Sequence, residues 1–281
     1  MTTTANDTAV NGAMWTARKT LLSVRGLTVQ FGGLVAINAL DLTVREGEIF
    51  ALVGPNGAGK TTLLNCVSGF VRPSAGSLTF DGMDLLTRSR HARAALGIGR
   101  TFQNVQLFAS MTVLDNLVAA QHAQLHASVW ASLLPFGPAI TEDRRARARG
   151  RELLALLGIE RYAETVAGAL PFGAQKLVGV ARALALRPRL VLLDEPAAGM
   201  PQTEVAQFAA SLRRWRDELA VTFVLIEHNM SLVQSVAETV CVLDYGRKLA
   251  EGTPAEALAN PAVLEAYLGS AGAREVASAE G

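Results

Sequence analysis

Gly54-Pro55-Asn56-Gly57-Ala58-Gly59-Lys60-Thr61-Thr62 follows the apolar run Ile49 to Val53 and precedes a helix-compatible stretch from Lys60 to Ser68. Strand, glycine loop and helix in that order fit the pattern G-x-x-x-x-G-K-[ST], in which loop N–H groups and a helix N-terminus hold the phosphates of a nucleotide. Gly54, Gly57 and Gly59 can take positive φ and let the backbone close on an anion where a Cβ would intrude. Pro55, Asn56 and Ala58 complete the loop. Lys60 is the mobile charge for the β- and γ-phosphates, and the Thr61 hydroxyl is the expected Mg²⁺ ligand. Thr62 suits a bond to the backbone or to a phosphate.

Working outward, 281 residues suit one large α/β domain, or a core with a subdomain, and leave ample chain for a hydrophobic core. A formal charge of +1 gives no reason to expect nucleic acid as a partner, because phosphate tracking needs a concentrated basic surface. Half the residues are apolar and only 18% are charged, which leaves apolar surface for a protein interface or a large alanine-rich core. The longest apolar runs, Leu190 to Leu193 and Val221 to Ile226, are strand-sized and too short to cross a bilayer. The two cysteines, Cys66 on the helix after the loop and Cys241 in an apolar strand, read as buried hydrophobes in a reducing compartment. Residues 1–20 read as a disordered lead-in and 270–281 as a flexible tail.

Before the glycine loop lie three strand-like runs, Leu22 to Phe31, Ile37 to Val44 and Glu48 to Val53, parted by Gly32-Gly33 and Arg45-Glu46-Gly47. With no helix between them, the spacing predicts antiparallel hairpins ahead of the loop. Leu78-Thr79-Phe80 with Asp81-Gly82 adds a short strand and turn, and Ile98 to Phe102 is a further strand ending at Gln103. From about 105 to 166 the β pattern gives way to helical composition, broken by Leu134-Pro135-Phe136-Gly137-Pro138. The arginines of Thr141 to Leu157 read as a solvated helix face. Beyond it, strands and helices alternate: Leu190 to Asp194, a helix near Thr203 to Leu219, Val221 to Ile226, a helix near Met230 to Ala237, then Val240 to Leu243 and Lys248 to Ala250. Alternation of this kind implies a parallel sheet with helices on both faces, whose ligand groups lie at the strand C-terminal ends. The glycine loop, Gln103, Asp194-Glu195 and Glu227-His228 all fall at such ends. Asp194 is suited to Mg²⁺, directly or through water, and Glu195 can reach a water in line with the γ-phosphate.

With these residues in place, the chain resembles, from about Leu21 to Gly269, the ATP-binding cassette of an ABC transporter. More narrowly it resembles the cassettes of high-affinity branched-chain amino-acid uptake systems. The narrower likeness is carried by Phe31-Gly32-Gly33-Leu34, Arg100-Thr101-Phe102-Gln103-Asn104 with Leu107-Phe108, Asp194-Glu195-Pro196-Ala197-Ala198-Gly199, Ile226-Glu227-His228-Asn229-Met230 and Asp244-Tyr245-Gly246-Arg247. The resemblance implies a P-loop NTPase core, an N-terminal antiparallel β subdomain and a helical insertion, together with ATP and Mg²⁺ as ligands. It implies that Phe31 stacks on adenine, that Gln103 touches Mg²⁺ or the attacking water, and that His228 contacts the γ-phosphate. It further implies a second cassette as partner, identical or a sister chain, two membrane permease subunits, indirectly a solute-binding protein, and a place on the cytoplasmic face of the cell membrane.

The signature sequence of that family, ordinarily L-S-G-G-Q, corresponds to Leu170-Pro171-Phe172-Gly173-Ala174. Pro171 stands where the serine hydroxyl is expected and suits a first helical position. The N–H groups of Phe172, Gly173 and Ala174 still suit a phosphate from a second cassette. Ala198 and Pro201 occupy places where the family usually has Ser and Asp. Two other functions share these motifs: a soluble ABC ATPase outside transport, and a nucleotide-binding regulator with little hydrolysis. A P-loop kinase or GTPase accounts for neither the pairing of Gln103 with His228 nor the signature helix, and no N-K-x-D motif occurs.

Overall fold

The structure is a computed structural model that describes residues 18–101, 107–122 and 138–267. Alternating apolar and polar residues in β1 (Thr20–Phe31) and β2 (Leu34–Arg45) make the expected antiparallel hairpin, with one face buried. β4 (Ala75–Phe80) adds to the other edge of β1, and the two-residue β5 (Met83–Asp84) closes this sheet in the order β2-β1-β4-β5.

β3 (Ile49–Val53) departs from the sequence expectation. It makes no hairpin with β2 and enters a second sheet, parallel to β8 (Thr222–Ile226) on one side and β9 (Thr239–Asp244) on the other. The reason lies in its composition: all five residues are apolar and all are buried, so the strand needs cover on both faces, which a hairpin sheet with one wet face cannot give. The second sheet runs β10-β9-β3-β8-β7-β6, where β7 is Leu190–Asp194, β6 is Ile98–Arg100 and β10 (Arg247–Gly252) is an antiparallel edge strand.

Strand period two sends alternate residues to opposite cores. Val191, Leu193, Phe223 and Leu225 join the cluster under α5 (Phe172–Ala185) and α6 (Gln202–Leu219). Leu190, Leu192, Val224 and Ile226 join the cluster shared with α1 (Lys60–Ser68) and the antiparallel sheet. Further helices among the described residues include α2 (Arg90–Ala95), α3 (Val113–His122), α4 (Pro138–Leu156), α7 (Met230–Val236) and α8 (Pro254–Leu258). On α4 the expected charged face exists: Arg147 pairs with Asp143 and Asp115, and Arg151 with Glu164, while Leu153 and Leu154 are buried. Cys66 and Cys241 are buried free thiols, their pKa values pushed up by burial to about 11 and about 12. Residues 1–17 of the expected lead-in, 268–281 at the other end and Leu134 to Gly137 of the breaker cluster lie outside the described residues.

Trp215 joins the helical region to the sheet. It is fully buried, lies edge-on to Phe208 with ring centroids 5.7 Å apart, and its Nε1–H donates to the Leu156 carbonyl at 3.3 Å. Trp215→Ala empties that volume and strands the carbonyl, so urea unfolding is expected to show a loss of about 3–5 kcal/mol.

Candidate functional site

The glycine loop leaves β3 and folds back tightly. Gly54 has φ +148°, and a Cβ there would stand 2.1 Å from the Leu243 carbonyl oxygen of β9. Gly59 has φ +98°, and a Cβ there would meet the Ala36 carbonyl at 2.5 Å. Only glycine satisfies both backbone angle and space at these two points. α1 then starts at Lys60 with Gly59 as its N-cap; no side chain caps it, and the Leu63 N–H is the first to bond back, to Gly59 at 3.0 Å. The N–H groups of Lys60, Thr61 and Thr62 precede that first bond, which is the arrangement of an anion cradle. Lys60 is 6% exposed, and its Nζ donates to the carbonyls of Gly54 at 2.7 Å and Pro55 at 2.8 Å. Burial lowers its pKa, and Glu195 and Asp194 act against that shift.

Those carboxylates stand at the carboxyl ends of neighbouring strands. Asp194 pairs in register with Ile226 of β8, and Ile226 with Leu52 of β3, so three strands finish at one level. Asp194 is buried, and its Oδ2 accepts from Arg100 Nη2 at 3.3 Å. Its Oδ1 is buried with no hydrogen-bond partner among the described residues. Burial pushes this carboxyl up; Arg100 draws it down, Glu195 raises it and Lys60 lowers it. An orphaned carboxylate oxygen beside the loop, with the exposed Thr61 hydroxyl on the first turn of α1, is a hard-oxygen donor set that fits Mg²⁺ sharing its shell with phosphate oxygens.

Glu195 follows at φ +50°, a left-handed angle that turns the chain out of the strand. Its Oε1 lies 3.0 Å from Nε2 of His228, the second residue after β8. Lys60, Asp194, Glu195 and His228 therefore meet at one sheet edge, as the strand ends predict. Gln103 lies outside the described residues. Two residues before it, Thr101 bonds through its N–H to the Leu192 carbonyl at 2.9 Å, and its hydroxyl accepts from the Asp194 N–H at 3.3 Å.

Phe31 is at the tip of the β1–β2 hairpin, 49% exposed, and so is not a core aromatic. The same hairpin brings Ala36 against Gly59. The signature segment opens α5, with Phe172 57% exposed. Pro171 is the N-cap, not the first helical residue as expected, with φ −55° and ψ 148° and no side-chain cap. Its carbonyl accepts from the Gln175 N–H at 3.0 Å, the first backbone bond of the helix, and the N–H groups of Phe172 and Gly173 precede it.

Three residues without an assigned role in the sequence reading belong to this edge. Arg100 bridges Asp194 to α1, donating to Asn65 Oδ1 at 2.7 Å and Ser68 Oγ at 3.1 Å. Lys176 of α5 and Glu227, the residue before His228, both grip the segment after Asp194. The available sequence signal was position: Arg100 ends a strand, and Glu227 follows one.

A family profile described as ABC transporter matches residues 37–198, and one described as branched-chain amino acid ATP-binding cassette transporter matches residues 247–273. The chain is 41% identical over 251 residues to the high-affinity branched-chain amino acid transport ATP-binding protein BraF of Pseudomonas aeruginosa, a match covering 89% of this chain and 98% of that relative. It is 39% identical over 251 residues to the high-affinity branched-chain amino acid transport ATP-binding protein LivG of Escherichia coli, with the same coverage of 89% and 98%. Among solved structures, the ADP conformation of an ATP-binding cassette of an ABC transporter superimposes with a TM-score of 0.78 at 27% identity, covering 89% of this chain and 99% of that one. A nucleotide-free cassette gives a TM-score of 0.77 at 26% identity, again covering 89% and 99%.

Removing the buried lysine tests the phosphate cradle. Lys60→Ala is expected to weaken binding of a triphosphate nucleotide about 10- to 100-fold in a fluorescence titration, the range set by one hydrogen bond to a charged group.

Proposed function

Because the chain belongs to the family of ABC transporter ATP-binding proteins, we propose that it is the ATP-hydrolysing subunit of an importer for branched-chain amino acids. The cargo is inferred from the named relatives and from the second profile at residues 247–273. In such an assembly the chain works against two permease subunits at the cytoplasmic face of the membrane, supplied indirectly by a solute-binding protein. No helix among its described residues is long and apolar enough to cross a membrane, which suits peripheral attachment through those permeases.

One observation carries the hydrolytic reading: the 3.0 Å pair of Glu195 Oε1 and His228 Nε2, set beside Lys60 and the orphaned oxygen of Asp194. In the proposed mechanism, the loop from Gly54 through Thr62 cradles the phosphates, Lys60 turns from its own loop carbonyls to the β- and γ-oxygens, and adenine lies on Phe31. Thr61, Asp194 and Gln103 would hold Mg²⁺, which would supply neutralisation of charge on the phosphate oxygens. Glu195 takes a proton from the attacking water as its oxygen bonds to the γ-phosphorus and the bond to the bridging oxygen breaks. His228 holds the Glu195 carboxylate in line and contacts the γ-phosphate. Phe172 and Gly173 of a second cassette present backbone N–H groups to the far side of the same triphosphate. A regulator that did not hydrolyse would have no use for the Glu195–His228 pair.

Glu195→Gln keeps the shape and removes the base, so ATP turnover of the assembled complex is expected to fall about 10²–10⁴-fold with nucleotide affinity retained. Turnover at the original rate would refute the role given to Glu195. Pro171→Ser adds both an N-cap acceptor and a hydroxyl that can face the phosphate of a second cassette. It is expected to raise the unfolding midpoint, capping being worth about 0.5–2 kcal/mol, and to raise transport-coupled turnover. An unchanged turnover would mean that the hydroxyl missing at Pro171 has no part in hydrolysis.

A further inference from the structure

The segment Glu195 to Ala198 is gripped from two sides by buried side chains of opposite charge. Lys176, 6% exposed on α5, donates from Nζ to the Glu195 carbonyl at 3.0 Å and to the Ala198 carbonyl at 2.6 Å. Glu227, 3% exposed, accepts the Ala197 N–H on Oε1 at 2.9 Å, and on Oε2 the N–H groups of His228 at 3.1 Å and Asn229 at 3.4 Å. The cation takes the carbonyls of the segment and the anion takes its N–H group. Between them the chain runs through Glu195 at φ +50°, an angle that costs a non-glycine residue free energy and persists only where its surroundings hold it.

We propose that Lys176 and Glu227 are positioning residues that hold the Glu195 carboxylate and the His228 imidazole at their working separation, and that Lys176 ties this pair to the signature helix. The proposal rests on the hydrolytic role of Glu195 given above. Glu227 holds both halves of the pair: through Ala197 it fixes the segment that carries Glu195, and through its other oxygen it fixes the backbone of His228 itself. Lys176 adds the link to α5, because its ammonium also lies 5.2 Å from the centre of the Phe172 ring, at the helix end offered to a second cassette. A shift of that end on meeting a second cassette's nucleotide is thereby felt at the carbonyl of this chain's own Glu195. Burial lowers the Lys176 pKa, with Glu227 and Glu195 opposing the shift, so the two charges of the clamp lie within one another's field.

The test compares Glu227→Gln, Glu195→Gln and the double variant in the full chain, measuring kcat for ATP and, separately, the Kd of trinitrophenyl-ATP with Mg²⁺. Glu227→Gln keeps the shape but puts an amide donor where one oxygen accepted an N–H. The expected result is a fall in kcat of about tenfold or more, with Kd within about twofold of the parent. Glu227→Asp should recover part of the loss, and in the Glu195→Gln background the change should add nothing, since both act through one group. Parental kcat in Glu227→Gln with an inactive Glu195→Gln overturns the clamp alone, whereas parental kcat in both overturns the role of Glu195. Equal losses in binding and turnover also overturn the clamp, as they denote general damage to the site. Should Glu227→Gln fail to fold, Lys176→Gln, which releases the two carbonyls and the Phe172 ring but leaves Glu227 in place, must give the same split of kcat from Kd, and a parental kcat there sinks the proposal.

Discussion

The site depends on parallel strands finishing level. Leu52, Ile226 and Asp194 share one row across β3, β8 and β7, so whatever follows each strand emerges at the same height. A glycine loop leaves the first, Glu227 and His228 the second, and Glu195 the third. A cation and its carboxylates then face one another without any residue having to reach far. Slipping one strand by a residue would exchange its side chains between the two cores and move Asp194 or its counterpart out of this row. Apolar burial on both faces of the sheet thus sets the geometry of the charges, although it makes no contact with a ligand.

Within that edge, Lys60 spends its donors on its own loop. By bonding the carbonyls of Gly54 and Pro55 it holds the loop curled before any anion arrives, and a phosphate must compete for those donors. Arg100 has the complementary effect on Asp194, tying Oδ2 to α1 while Oδ1 keeps no hydrogen-bond partner among the described residues. The buried charges are balanced in pairs, which is what allows them to lie so near the core.

Much of this was legible in the chain because it is local. The glycine loop, the apolar strand ahead of it and the helix behind it are contiguous, and the placement of Asp194, Glu195 and His228 follows from their standing after apolar runs. What escaped was of another kind. β3 was expected in a hairpin because its neighbours in sequence are strands; the deciding fact, that all five of its residues are buried, concerns partners far along the chain. The left-handed angle at Glu195 has no signal in a residue that rarely adopts it. Lys176 looks like an ordinary surface charge in one dimension and Glu227 only like one more residue at a strand's end, and their pairing with one four-residue segment exists only once α5 and β8 have packed. Gln103, which the motifs single out, lies outside the described residues, so its part in the site stands on the sequence alone.

The hairpin tip beside the loop carries Phe31 at 49%, Leu34 at 68% and Val35 at 42% exposure. An exposed ring flanked by two aliphatic side chains offers a flat group a surface to stack on, and Gln30, the polar side chain beside them, has its amide turned back onto the Gly32 carbonyl at 2.9 Å. A planar ring resting there would be held through its faces, so the grip would scale with the apolar area that the three side chains cover.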